Sequence, residues 1–294
     1  MILMSPAIHV GKTAEERTAF LRKAGIMEAK TVSMSTPADW SDADIEVAKQ
    51  FLNDHGIRVG EFSGFHNGFG SADVGDYRSA LEHHRRQLRH AHILGAHCVG
   101  VAILVGSIWN EELPKTFAER DETTPQMWSE ETWGRCIAAV AELIPSAEEF
   151  QMDVAMHPHI ITPLGSVEQY KALFEAVPSP RLKALMDPVN MTWPHMFFNT
   201  TELVNQIFDE LGDKVTALHA KDVTMWSAQP ISIISRVDET PPGRGGMDYA
   251  TILRRLDELE HDVTVNVEHF AEADTIAAQQ YIRQVAQEIG VILH

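Results

Sequence analysis

The 294-residue chain predicts a single closed (β/α)₈ barrel over residues 1–294. Three observations carry that expectation. Short apolar runs alternate with helically patterned segments from end to end, giving eight strand–helix units with no linker of biased composition. The apolar fraction of 44% suffices for one sizeable core, and one-domain barrels run to ~250 residues and more. No G-x-G-x-x-G follows the first or second strand, so the usual sign of a doubly wound open sheet is missing.

The first apolar run is Pro6 to Val10, and Thr13 with Glu16 forms a capping box for a helix that stops at Gly25. Glu28 to Met34 reads as the second strand. Ser41 to His55 reads as a helix with Ile45, Ala48, Phe51 and Leu52 on one face. Ile57 to Phe65 gives the third strand, ending at His66. After the glycine-rich stretch from Gly64 to Gly75, Tyr77 to Leu94 is a helix crowded with His83, His84, Arg85, Arg86, Arg89 and His90. In so acidic a chain this run reads as a solvated face or a subunit contact rather than a nucleic-acid site.

His97 to Val105 is the fourth strand, followed by a long loop from Gly106 to Gln126 and a helix from about Met127 to Phe150, which Pro145 should kink. Met152 to Met156 is the fifth strand, Leu182 to Asp187 the sixth, Val215 to His219 the seventh and Thr264 to Glu268 the eighth. Helices at Val167–Ala176, Thr200–Leu211 and Tyr249–Leu259 separate them, and one from Asp274 to Ile292 closes the chain. After His219 a long loop carries Pro241-Pro-Gly-Arg-Gly-Gly246.

Charge narrows the function classes. With 24 basic and 42 acidic residues the net charge is −18, which repels a nucleic-acid backbone and an anionic membrane surface. Only two cysteines occur, Cys98 and Cys136, so a disulfide framework is not expected. The first residues lack the basic flank of a signal peptide, and no apolar run reaches the ~18 residues of a membrane span. A cytoplasmic protein is expected.

Three strand ends carry metal-competent side chains: Asp187, His219 and Glu268. Strand–helix alternation makes the strands parallel and places their C-terminal ends on one side. The three groups should therefore converge, and two oxygens with one nitrogen suit a divalent cation such as Mn²⁺, Mg²⁺, Co²⁺ or Zn²⁺, Mn²⁺ being expected first.

With these residues placed, the chain resembles the xylose isomerase-like TIM-barrel superfamily, in the branch of sugar phosphate isomerases and epimerases. The resemblance rests on Asp187-Pro-Val-Asn190, His219-Ala-Lys-Asp222, Gly243-Arg-Gly-Gly-Met-Asp248 and Val267-Glu268-His269. It implies a metal held by groups from strands five to eight, three of which match Asp187, His219 and Glu268. At the fourth position the family's usual glutamate is replaced by His157, in His157-Pro158-His159, so the implied set has two histidines and two carboxylates.

The implied chemistry is proton abstraction beside a carbonyl of a sugar or sugar derivative through a metal-stabilised enediolate. Glu268, His159 and Lys221 are the available proton-moving groups, of types that can be tuned toward neutral pKa. Asn190, Arg244, His66 and Trp109 are expected to orient or stack on the substrate. Isomerisation or epimerisation comes first. A lyase or dehydratase expelling a β-substituent from an oxidised sugar or 3-oxo-glycoside is a close alternative, because His157 removes one of two paired carboxylates. A nuclease resembling AP endonucleases and a non-catalytic barrel subunit rank below. No nucleic acid or membrane partner is expected, and association into homo- or hetero-oligomers stays open.

Overall fold

The computed structural model describes residues 1–66, 68–103, 128–160, 162–227, 235–268 and 270–294. Eight strands form one parallel sheet: β1 (Ile2–Met4), β2 (Thr31–Met34), β3 (Arg58–Ser63), β4 (Cys98–Ala102), β5 (Asp153–His157), β6 (Leu182–Met186), β7 (Val215–Ala220) and β10 (Val263–Val267). Their order is β1-β10-β7-β6-β5-β4-β3-β2. The ring closes where β1 and β2 approach each other, through a parallel bridge between Ala7 and Ser33. The expected TIM-barrel fold is the fold of this chain.

Helices α1 (Ala14–Ile26), α2 (Asp42–Asp54), α3 (Val74–Leu94), α4 (Glu130–Glu149), α5 (Val167–Ala176), α6 (Thr200–Leu211), α7 (Tyr249–Asp257) and α8 (Glu272–Ile289) accompany the strands. Local sequence sets their ends. Thr13 and Glu16 cap α1 reciprocally, as the sequence predicts, and Ser41 with Asp44 does the same for α2. Gly95 and Gly290 stop α3 and α8 in the left-handed region, where a residue without Cβ is unstrained. Pro145 lies inside α4, which is assigned as one helix from Glu130 to Glu149.

Alternation along the strands separates two apolar regions. One set of side chains packs outward against the helices and forms the main core, including Val99, Val154, Met156, Ala184, Met186 and Leu218. The other set holds the small cluster Cys98, Ala155, Leu185 and Ala217. Two residues beyond the last three of these, in the same pleat phase and at the C-terminal ends of their strands, stand His157, Asp187 and His219.

Three expectations change. The first barrel strand is Ile2–Met4 rather than Pro6–Val10: Ile2, Leu3 and Met4 are buried and pair with Val263, Thr264 and Val265. The stretch after His219 is not simply a loop, since β8 (Asp222–Ser227) and β9 (Ser235–Thr240) form an antiparallel ladder over the mouth side of β7. The basic run on α3 is only partly a solvated face. His84 and His90 are buried, while Arg85 and Arg89 pair with Glu142 and Asp42.

Candidate metal centre

The four predicted ligands do meet. One ligand atom from each of His157, Asp187, His219 and Glu268 lies within 4.8 Å of the other three. They come from the ends of β5, β6, β7 and β10, which are consecutive neighbours in the sheet. His157 Nε2 is 3.4 Å from Asp187 Oδ2, and His219 Nδ1 is 2.8 Å from Glu268 Oε2. Among the described residues Nδ1 has no aligned hydrogen bond. A nitrogen so placed, beside carboxylate oxygens and a second imidazole, fits a borderline divalent cation.

Asn190 ties the group together. Its backbone N–H donates to Asp187 Oδ1 at 3.0 Å, and its side-chain amide donates to the Pro158 carbonyl at 3.2 Å and lies 3.3 Å from His157 Nε2. The Pro188 turn makes this geometry possible by starting a short 3₁₀ helix at Val189–Met191 directly after β6.

Lys221 is the unexpected centre of charge. Its ammonium lies 3.0 Å from Asp187 Oδ2, 3.1 Å from Glu239 Oε2 and 3.4 Å from Glu268 Oε2, and it donates to Asn190 Oδ1 at 3.4 Å. Burial would lower its pKa, but the three carboxylates outweigh burial and raise it. The sequence expectation of a lysine tuned toward neutrality is therefore reversed: Lys221 is a fixed cation and a hydrogen-bond donor.

The other groups respond to the same field. Burial opposes ionisation of Asp187, yet Lys221 and His157 together hold its carboxyl below the ordinary range. Glu268 is likewise lowered, against burial, by His219 and Lys221. Burial acts against the charged form of His219, but Glu268 and Glu61 raise its pKa well above the ordinary value. His157 moves the other way, since burial dominates the pull of Asp187. His159 drops to about 4, mainly through burial and then through the neighbouring His157, so its ring is neutral at pH 7.

Sequence reading missed two participants. Glu61, wholly buried in the middle of β3, meets His219 Nε2 at 2.9 Å. Its signal was a charged residue inside an apolar strand. Glu239, on β9, belongs to the hairpin that stands where the sequence predicts a loop. Of the remaining predicted residues, His66 sits with its ring 4.9 Å from that of His83 on α3. Arg244 is half exposed and paired with Asp274 at 2.7 Å, outside the group of four. Trp109 lies outside the described residues.

The neighbouring loop is built on Asp222. Its carboxylate accepts backbone N–H bonds from Val223, Gly243, Gly245 and Met247 at 2.8 to 3.0 Å. A Cβ on Gly245 would stand 2.3 Å from the Val223 carbonyl oxygen, so this residue must lack one. Tyr249 completes the seam by donating to the Lys221 carbonyl at 2.7 Å.

Comparison with known proteins follows the geometry. No curated protein matches the chain. Among solved structures, a xylose isomerase-like TIM barrel protein from Mycobacterium smegmatis in complex with magnesium is similar at 17% identity and TM-score 0.72, over 97% of each chain. An L-ribulose 3-epimerase is similar at 15% identity and TM-score 0.68, over 98% of this chain and 95% of that one. The IOLI protein with a binding zinc atom is similar at 15% identity and TM-score 0.63, over 97% and 98%. At such identities these structures speak for the fold. The family model described as "Xylose isomerase-like TIM barrel" matches residues 19–287, and the chain belongs to that family.

Proposed function

We propose that the chain is a divalent-metal-dependent isomerase or epimerase of a sugar or sugar derivative, acting by removal of a proton beside a carbonyl. The observation that carries this reading is the convergence of His157, Asp187, His219 and Glu268 within 4.8 Å at the barrel mouth. These four would hold the ion, Mn²⁺ first, with Mg²⁺, Co²⁺ and Zn²⁺ also compatible with two nitrogens and two oxygens. Once bound, it would polarise a substrate carbonyl and offset the negative charge that develops as the adjacent C–H proton leaves.

The chain's own groups divide the remaining work. Lys221, held as an ammonium by its carboxylates, donates to a substrate oxygen on which charge builds. His159, neutral at pH 7, accepts a proton. Glu268 belongs to the ligand set and also lies beside Lys221, where it can take a proton from a substrate carbon. Asn190 orients hydroxyls, with His66 and Trp109 as further substrate contacts. Arg244 would join them only by exchanging Asp274 for substrate. A single domain working in the cytoplasm, without nucleic-acid or membrane partners, completes the proposal. The −18 charge supports the last point, and no described helix is long and apolar enough to cross a membrane.

A lyase is the second reading, favoured by one observation. His157 stands at the end of β5 where an isomerase with paired carboxylates would carry a second proton-moving group. Incubation of the metal-loaded protein with ketoses and with 3-oxo-glycosides in deuterated water separates the two. Deuterium uptake with a retained skeleton supports isomerisation, and release of the substituent supports elimination. A protein that binds no divalent ion and exchanges no substrate proton would overturn both.

A further inference from the structure

Below the four converging groups the barrel interior holds another carboxylate. Glu61 and His219 are both sealed from solvent, and Glu61 Oε2 lies 2.9 Å from His219 Nε2. The other carboxylate oxygen, Oε1, accepts from Ser63 Oγ. The facing strand leaves room for it: a Cβ on Gly100 of β4 would come within 2.5 Å of Oε1. Glu61 is therefore seated by β3 and β4, with its free oxygen directed at one nitrogen of one ring.

With its other oxygen already accepting from Ser63, the Glu61 carboxyl is built as an acceptor, and the hydrogen in the 2.9 Å contact is assigned to the imidazole. Nε2–H donates to Glu61. The ring nitrogen on the other side, Nδ1, is the one that faces Glu268 Oε2 at 2.8 Å and, among the described residues, lacks an aligned hydrogen bond. A histidine that ligates through one nitrogen commonly gives its other N–H to a carboxylate, which fixes tautomer and ring orientation and makes the ligating nitrogen more basic.

We infer that Glu61 is a positioning residue that holds the proton of His219 on Nε2 and presents the Nδ1 lone pair to a divalent cation. This rests on the metal reading proposed above. It also accounts for a carboxyl group placed in the barrel interior, where an unpaired one would be costly. Glu61 touches neither substrate nor ion in this assignment; it acts through His219.

The test uses the full chain labelled with ¹⁵N-histidine and titrated with Zn²⁺. Long-range ¹H–¹⁵N correlation of the zinc-loaded protein should show His219 with a protonated Nε2 and a metal-bound Nδ1. A proton on Nδ1 with zinc on Nε2, or an imidazolium that persists at full zinc loading, would overturn the inference. Glu61→Gln, followed by competition with a chromophoric chelator, should bind Zn²⁺ about 10–100-fold more weakly than the parent chain. Unchanged affinity in a folded Glu61→Gln protein overturns it as well. If that variant does not fold, the tautomer read from the parent chain decides. The two readings fail differently: no zinc binding by the parent chain removes the metal proposal, whereas binding lost in Asp187→Ala but unchanged in Glu61→Gln removes only the role of Glu61.

Discussion

Lys221 Nζ stands 3.0 Å from Asp187 Oδ2 with both side chains sealed from solvent, so a permanent cation sits among the carboxylates that would receive a divalent one. Its effect on stability and its effect on metal binding therefore have opposite signs.

Replacing Lys221 with Met should lower the stability of the metal-free protein by about 3–5 kcal/mol, the usual cost of leaving one half of a buried pair uncompensated. The same change removes a repulsive charge from the site, so divalent affinity should rise, by about tenfold, while turnover falls. Thermal unfolding with and without Mn²⁺, alongside calorimetric titration, checks both. Weaker metal binding in Lys221→Met would contradict the charge argument.

Asp187→Ala and His219→Ala should each retain less than about one-tenth of the metal bound by the parent protein, because each removes one of the four ligand atoms that converge among the described residues. Elemental analysis after gel filtration measures this, with far-ultraviolet circular dichroism confirming a folded barrel. Full metal occupancy in either variant would contradict the ligand assignment.

Acid sensitivity should trace in part to His84. Its ring is buried, neither nitrogen has a hydrogen-bond partner among the described residues, and burial lowers its pKa from 6.5 to about 3. Between those values the unfolded chain binds a proton that the folded chain refuses, so this contribution is complete above pH 6.5 and is lost as pH falls. The slope from this one group reaches about 1.4 kcal/mol per pH unit. Urea midpoints measured from pH 7.5 to 4.5 should decline less steeply in His84→Leu than in the parent. Parallel curves would show that His84 does not supply the slope.

Asp222→Ala should cost about 3 kcal/mol or more, since one carboxylate organises four backbone N–H groups. Hydrogen exchange should locate the loss at the amides of Gly243, Gly245 and Met247, with the barrel strands protected as before. Gly245→Ala should produce the same pattern by clash rather than by a missing acceptor.

The barrel was legible because alternating apolar runs and helical segments leave few other topologies. The strand-end trio was legible because parallel strands align their ends. Ile2–Met4 is less conspicuous in the sequence than the longer run at Pro6–Val10, and its pairing with Val263–Val265 is what distinguishes the two. The hairpin escaped because its strands, Asp-Val-Thr-Met-Trp-Ser and Ser-Arg-Val-Asp-Glu-Thr, lack clean alternation and flank a proline-containing stretch. Glu61 was hidden for another reason. Attention to strand ends finds groups at the mouth, whereas its partner His219 is reached from mid-strand across the barrel interior.

The ladder between Ile2–Met4 and Val263–Val265 joins two segments that lie far apart in the sequence. During translation the earlier strand must wait, its three apolar side chains without their ladder partner, until the later one has left the ribosome. Such long-range closure is slow and leaves adhesive surface uncovered meanwhile. Chaperone dependence and the yield of folded protein should therefore respond more to this seam than to any single residue at the mouth.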